Sequence, residues 1–161
     1  MKYRLFAALL FTASCMQAEP VPEQINIAKY YLGLDEDRNR YELKLILGVD
    51  PAKTEWCAAF VNAMLKKDNI PGSDSVSDYP LMARSFLTWG TRVRSNDIKT
   101  GDVVVFPRGS GGWQGHVGFY YGTTPKGEWV ILGGNQDNTV SYKMYAPNKA
   151  IAIRRWEKEI E

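Results

Sequence analysis

Apolar residues recur at helical spacing in three segments of the first half of the chain. The third segment is the clearest, because its apolar residues between positions 57 and 65 would line one face of a helix. Thr54 stands where a side chain can cap the N-terminus of that helix. A fourth helix is predicted over residues 79–89, where Gly90 provides a stop. The apolar positions of the first three helices are Ile25, Ala28 and Leu32; Leu43, Leu45 and Leu47; and Cys57, Phe60, Val61, Met64 and Leu65.

The second half of the chain changes to short segments rich in β-branched and aromatic residues, separated by glycine or proline turns. This pattern predicts about five strands. Helices followed by strands indicate an α+β domain in which N-terminal helices pack on a C-terminal antiparallel sheet. The predicted strands cover residues 103–106, 116–121, 129–132, 140–145 and 150–156.

The first 18 residues have the pattern of a bacterial export signal. Lys2 and Arg4 precede an apolar run over residues 5–11, which is far shorter than the roughly 20 residues that a membrane-spanning helix needs. Two processing routes are open. Residues 12–15 approximate a lipobox, with cleavage before Cys15 and acylation of its thiol, whereas Ala18 would precede an ordinary cleavage. We therefore expect export to the periplasm or cell envelope. Only the lipobox route would attach the protein to a membrane, through a lipid on Cys15.

Length and charge narrow the classes of protein that the exported chain can be. Residues 19–161 number about 143, which fits one domain with a single core. Lys2 and Arg4 account for the whole excess of 20 basic over 18 acidic residues, so the exported chain is neutral. A neutral chain without a basic, aromatic-rich run argues against a nucleic-acid partner. We expect a monomer.

Cys57 is the residue with the most chemical information, because it would be the one unmodified thiol of the exported chain. Free thiols are exposed to oxidation outside the cytoplasm, which favours a catalytic over a chance cysteine. In the first turn of the third helix, backbone N–H groups and the helix dipole would stabilise a thiolate and lower the thiol pKa. The alternative is an ordinary small apolar residue of the core, since Cys57 also begins an apolar stripe.

The candidate partners of Cys57 are His116 and Asn135. His116, the only histidine, begins one predicted strand and Asn135 follows the next, so antiparallel pairing brings these two ends together. His116 would act as the base, and Asn135 would fix its tautomer by a hydrogen bond. One histidine and one cysteine provide too few ligands for zinc, and we predict neither a metal nor a cofactor.

Four blocks in this order resemble the CHAP or NlpC-type papain-like peptidoglycan hydrolases. The resemblance covers most of the exported chain, and it rests on the ordered set of blocks. The resemblance implies a papain-like fold, Cys57 as nucleophile, His116 as base and a polar orienting residue. Asn135 matches the third role most directly, with Gln136 and Asp137 as alternatives. The blocks are residues 54–62 (TEWCAAFVN), 101–106 (GDVVVF), 115–120 (GHVGFY) and 132–136 (LGGNQ).

The resemblance implies cleavage of an amide bond in peptidoglycan, through an acyl-enzyme on Cys57. It implies peptidoglycan as the partner and an endopeptidase or an amidase as the activity. A noncatalytic wall-binding or degenerate hydrolase domain is the alternative from a different class. An antibacterial toxin that degrades peptidoglycan is a third reading of the same motifs.

Overall fold

The computed structural model describes residues 20–157, and the predicted signal segment with Cys15 lies outside this range. Within it, three α-helices come first and an antiparallel sheet of six strands follows, which confirms the predicted α+β class. The prediction counted about five strands. The strand it missed is the two-residue strand Thr91–Arg92, which is too short and too exposed to leave an alternating pattern.

The three helices are α1 (Glu23–Tyr30), α2 (Arg40–Leu47) and α3 (Cys57–Lys67). Each buries the apolar stripe that its sequence predicts, except that Leu32 lies after α1 and Leu45 is exposed. Gly48 ends α2 with a φ of 71°, a backbone conformation that favours glycine. α3 is buried over most of its length and packs against both other helices and the sheet. It is therefore the central helix of the domain.

The six strands lie in the order β1-β6-β2-β3-β4-β5, so that the last strand inserts between the first and second. Alternation along the strands gives the sheet two buried faces. Val103, Val105, Val117 and Phe119 join the core under the helices, while their neighbours along the chain form a smaller cluster on the other side. The strands are β1 (Thr91–Arg92), β2 (Val103–Pro107), β3 (Gly115–Thr123), β4 (Trp129–Gln136), β5 (Thr139–Tyr145) and β6 (Ala152–Arg155).

Two local predictions are wrong. Residues 79–89 do not form an α-helix, because their only helical part is the 3₁₀ segment Ala83–Leu87. Pro80 disfavours helical backbone at the residue before it. Thr54 does not cap α3 either, since its backbone is extended and the helix begins three residues later at Cys57. Further 3₁₀ segments are Pro51–Lys53, Ser73–Ser75, Ser95–Asp97 and Pro147–Lys149.

No helix among residues 20–157 combines the length and apolar character needed to cross a bilayer.

Candidate active site

Cys57 is the first residue of α3 and is 2% exposed. The backbone N–H groups of Val117 and Ala58 both stabilise the charged form of its sulfur. Val117 follows His116 in β3, so the helix brings the thiol to the segment that carries the imidazole. Cys57 also borders a cavity of about 220 Å³, whose wall includes Gly115, the residue before His116. A larger cavity of about 640 Å³ is lined by neither Cys57 nor His116.

The thiol of Cys57 does not have the lowered pKa that its helix position predicted. Burial raises the pKa of the thiol, and this effect outweighs the two backbone N–H groups and the charge of Arg108, which lower it. Burial in the core was the alternative that the sequence left open for Cys57. Packing of this residue between α3 and the sheet causes the desolvation that opposes the effect of the helix start.

His116 lies near the start of β3 and is 6% exposed. Its ring stacks on Tyr145 of β5 with 5.7 Å between ring centroids. Burial lowers the pKa of His116 to about 4, against a smaller raising effect of its hydrogen bond to Gln136. The imidazole is therefore neutral at pH 7, which is the form that can accept a proton.

Gln136 is the side chain that hydrogen-bonds the His116 ring, with 3.2 Å between Gln136 Oε1 and His116 Nε2. The amide group of Gln136 is held in one orientation, because its Nε2 donates to Ser141 O at 2.6 Å. Its Oε1 is thus an acceptor that faces the ring and also accepts from the Tyr145 hydroxyl at 3.4 Å. The ring proton then sits on Nε2, which leaves Nδ1 of His116 unprotonated and able to act as a base.

Asn135 does not occupy the position beside the ring that the sequence assigned to it. Its Nδ2 donates instead to Glu55 Oε2 at 2.8 Å. The reason is a bulge between Gly133 and Gln136, where β4 has one residue more than β5. Asn135 lies in this bulge with a left-handed φ of 56°. An extra residue reverses the side-chain alternation that follows it, so the side chain of Gln136 faces the ring.

A polar pair lies at the mouth of the cavity, and the sequence did not point to it. Arg108 Nη1 donates to Glu55 Oε2 at 2.6 Å, and the same oxygen accepts the bond from Asn135. Glu55 precedes the thiol by two residues, while Arg108 directly follows β2. A charged residue after a buried strand is the one signal in the sequence that could have singled out Arg108.

Two tryptophans near the site have different roles. Trp56 is fully buried and donates its ring N–H to Glu36 at 2.9 Å, so it is part of the core. Trp113 is 67% exposed and borders the cavity. Its loop is held by Arg84, whose Nε donates to Gln114 O at 2.8 Å. Trp113 therefore presents an aromatic surface to the cavity.

Comparison with known proteins identifies the family and the fold. The family model described as "CHAP domain" matches residues 49–135, more than half of the chain. Among solved structures, an NlpC/P60 family protein from Bacillus cereus ATCC 10987 matches with a TM-score of 0.51 and 18% sequence identity. The alignment covers 85% of this chain and 41% of that chain, and at this identity it bears on the fold alone. No curated protein has a significantly similar sequence. The predicted resemblance and the papain-like fold are confirmed.

Proposed function

Because the chain belongs to the CHAP domain family, we propose that it is a cysteine peptidase or amidase that cleaves an amide bond of peptidoglycan. CHAP and NlpC/P60 proteins are typically peptidoglycan-cleaving enzymes of these two kinds. One observation carries the proposal for this chain. A buried, neutral imidazole with a fixed tautomer lies on the same strand segment as the backbone N–H group that stabilises the Cys57 sulfur.

The first step is formation of an acyl-enzyme. The Cys57 sulfur attacks the carbonyl carbon of the amide, while the thiol proton passes to Nδ1 of His116. The imidazolium then gives this proton to the amide nitrogen, the C–N bond breaks and the amine leaves. Because burial raises the pKa of the thiol and lowers that of the imidazole, the two groups start uncharged and the proton moves during the attack.

The second step is hydrolysis of the thioester. Water attacks its carbonyl carbon and gives a proton to His116, and the thiolate leaves and recovers a proton from the imidazolium. In both steps the carbonyl oxygen becomes an oxyanion. The backbone N–H of Cys57 lies at the start of α3, where helical N–H groups have no partner within the helix. Such a donor contributes about 3–4 kcal/mol to transition-state stabilisation.

Digestion of purified peptidoglycan by Cys57→Ala and His116→Ala variants tests the mechanism. We expect both variants to be folded, as measured by circular dichroism, and to release no fragments above background. Mass spectrometry of the fragments from the wild type distinguishes a cut within the stem peptide from a cut between stem and sugar. Wild-type cleavage by a folded Cys57→Ala variant would exclude the mechanism.

A noncatalytic wall-binding domain is the second candidate, and the raised pKa of Cys57 is the observation that favours it. Slow alkylation of the thiol does not separate the two candidates, because the proposed enzyme also starts from an uncharged thiol. Turnover does separate them. A wild-type protein that sediments with peptidoglycan but releases no fragments would support the binding domain.

Export to the cell envelope is part of the proposal and rests on the sequence pattern of residues 1–18. Fractionation of cells that produce the full chain should place it outside the cytoplasm. Metabolic labelling with a fatty acid, compared between the wild type and Cys15→Ser, distinguishes the two processing routes. Label that is lost in the variant indicates lipidation, and an unlabelled wild type indicates ordinary cleavage.

A further inference from the structure

The cavity beside Cys57 is mostly uncharged, except for the pair at its mouth. Leu81, Met82 and Ala83 supply apolar surface on one side and Trp113 supplies an aromatic ring. Such a lining suits a short peptide with small aliphatic groups. Glu55 and Arg108 are the charged residues of the lining.

Arg108 has unused capacity to bind an anion. A guanidinium group has five N–H donors. Among the described residues, the hydrogen bond that Arg108 makes is the one from Nη1 to Glu55. Its side chain is 48% exposed, so the remaining donors are accessible from the cavity. These donors can form the paired bonds in which arginine binds a carboxylate.

The positive charge of Arg108 affects the pKa of both Cys57 and His116. Burial is the main cause of the pKa shifts of both Cys57 and His116, and the charge of Arg108 contributes a lowering to each. Arg108 and Cys57 also line the same cavity, so a group held by Arg108 would lie close to the amide that Cys57 attacks. Glu55 fixes the guanidinium on one side and is itself held by Asn135, so the arginine is already positioned in the free protein.

We propose that Arg108 binds a free carboxylate of the substrate beside the amide bond that Cys57 attacks, and so selects acidic stem peptides over amidated ones. The inference rests on the proposed function, because it concerns the substrate of the same site. Glu55 supplies a like charge near this carboxylate and thereby moderates the affinity. Asn135, which the sequence assigned to the histidine, holds Glu55 in place.

The test measures binding by calorimetry, with the full chain carrying Cys57→Ala so that the peptide is not consumed. The probes are a synthetic stem tetrapeptide (L-Ala, γ-linked D-Glu, diaminopimelate, D-Ala) and forms with one carboxylate replaced by a carboxamide. We expect at least one amidated form to bind about tenfold more weakly, the scale of one charge-assisted interaction at a half-exposed site. Added salt should shrink this ratio.

Two variants give opposite results if Arg108 binds the carboxylate. Arg108→Gln should bring the ratio between acid and amide close to one. Glu55→Gln should keep or raise it, because the amide oxygen can still accept from Arg108 while the like charge is gone. Arg94→Gln is the matched control, since Arg94 also makes an ion pair, with Asp97 at 2.8 Å. It should leave the ratio unchanged.

The inference is overturned if Arg108→Gln leaves the ratio between acid and amide binding unchanged. It is also overturned if Glu55→Gln brings this ratio to one, as Arg108→Gln is expected to do. The second result would mean that the ion pair has only a structural role. Equal binding of acid and amide by the starting protein also overturns it. The proposed function fails on a different result, namely the absence of peptidoglycan cleavage by the wild type.

Discussion

Replacement of Gln136 by methionine removes the hydrogen bonds of this side chain at nearly constant volume. His116 Nε2–H loses its acceptor at 3.2 Å, and Ser141 O loses a donor at 2.6 Å. The Tyr145 hydroxyl loses a longer bond to the same acceptor, at 3.4 Å. The change therefore removes the group that fixes the His116 tautomer without opening a large cavity.

The expected loss of stability follows from the burial of these groups. A buried polar group left without a partner costs about 1–3 kcal/mol. The His116 ring is almost fully buried, whereas Ser141 and Tyr145 are partly exposed and can find water. We expect the free energy of unfolding to fall by about 2–4 kcal/mol. We expect kcat to fall by about tenfold to a hundredfold, because a misoriented base loses part of its usual contribution.

The assay is nitrogen NMR of a protein labelled in histidine, which gives a single ring because His116 is the only histidine. The wild type should show a protonated Nε2 and an unprotonated Nδ1, with a titration midpoint near pH 4. The hydrogen bond to Gln136 raises the pKa of His116, so its loss in the methionine variant should lower the midpoint further. A merely loosened structure would admit water and move the midpoint up.

The matched control is Asn135→Gly, which keeps the left-handed backbone and removes the neighbouring amide. It should leave the tautomer and the midpoint of His116 unchanged, because Asn135 bonds to Glu55. The reasoning is refuted if the wild-type proton lies on Nδ1. It is also refuted if Asn135→Gly changes the tautomer while Gln136→Met does not.

Three further predictions concern stability, measured by chemical or thermal unfolding. Because the pKa of His116 is lowered to about 4, the unfolded chain binds a proton before the folded protein does as pH falls from about 6.5, and the free energy of unfolding decreases by about 3 kcal/mol by pH 4. His116→Gln should remove this part of the pH dependence. An unchanged pH profile of stability would contradict the assignment. Gly134→Ala should lower the free energy of unfolding by about 1–3 kcal/mol, because the added Cβ would lie 2.4 Å from a ring atom of Trp56. Gly122→Ala is the control, since its Cβ would meet nothing within 4 Å. Equal effects of the two substitutions would contradict the packing argument. Asp102→Asn should lower the free energy of unfolding by about 2–4 kcal/mol, because the buried Asp102 accepts two hydrogen bonds from Arg155. The substitution should leave peptidoglycan cleavage unchanged. A variant as stable as the wild type would show that the ion pair contributes little to stability.

The fold was predictable because the apolar residues of most elements recur with the period of a helix or form the β-branched and aromatic runs of a strand. Cys57, Phe60 and Met64 line the core side of α3, and the β-branched runs of β2 and β3 are buried in the sheet. Residues 79–89 do not form the predicted α-helix, although their buried apolar residues Ala83, Phe86 and Trp89 are three positions apart, because this spacing also fits a 3₁₀ segment. Phe86 of the 3₁₀ segment packs edge to face with Trp89, which follows that segment, with 5.6 Å between ring centroids. Tertiary packing rather than local preference decides that segment.

The candidate site was predictable only where residue type carries chemistry. Cys57 and His116 stood out as an unpaired thiol and a single imidazole. Gln136 could not be chosen over Asn135, because one extra residue in β4 decides which side chain faces the ring. The family match at residues 49–135 ends just before Gln136.

The glycines before Asn135 explain how a glutamine can take the orienting position. A Cβ at Gly134 would lie 2.4 Å from the ring of Trp56, so β4 can pack this closely on α3 only without a side chain there. A Cβ at Gly133 would lie 3.4 Å from Gln136 Cδ, so a longer side chain would enter the space that Gln136 fills. The bulge then turns Gln136 back over Gly133, whose carbonyl accepts from its Nε2.

In the proposed mechanism, a neutral orienting residue also determines how the thiol is activated. The amide oxygen of Gln136 supports the imidazolium less than a carboxylate would, and burial holds the pKa of His116 near 4 while raising that of Cys57. In the proposed mechanism, proton transfer therefore accompanies the attack of sulfur. We expect kcat/KM to rise with pH only to about 5 and to be higher in H₂O than in D₂O. A thiolate and imidazolium already formed at rest would instead give equal values in the two solvents, with a fall above the pKa of the imidazolium, and either result would refute activation during the attack.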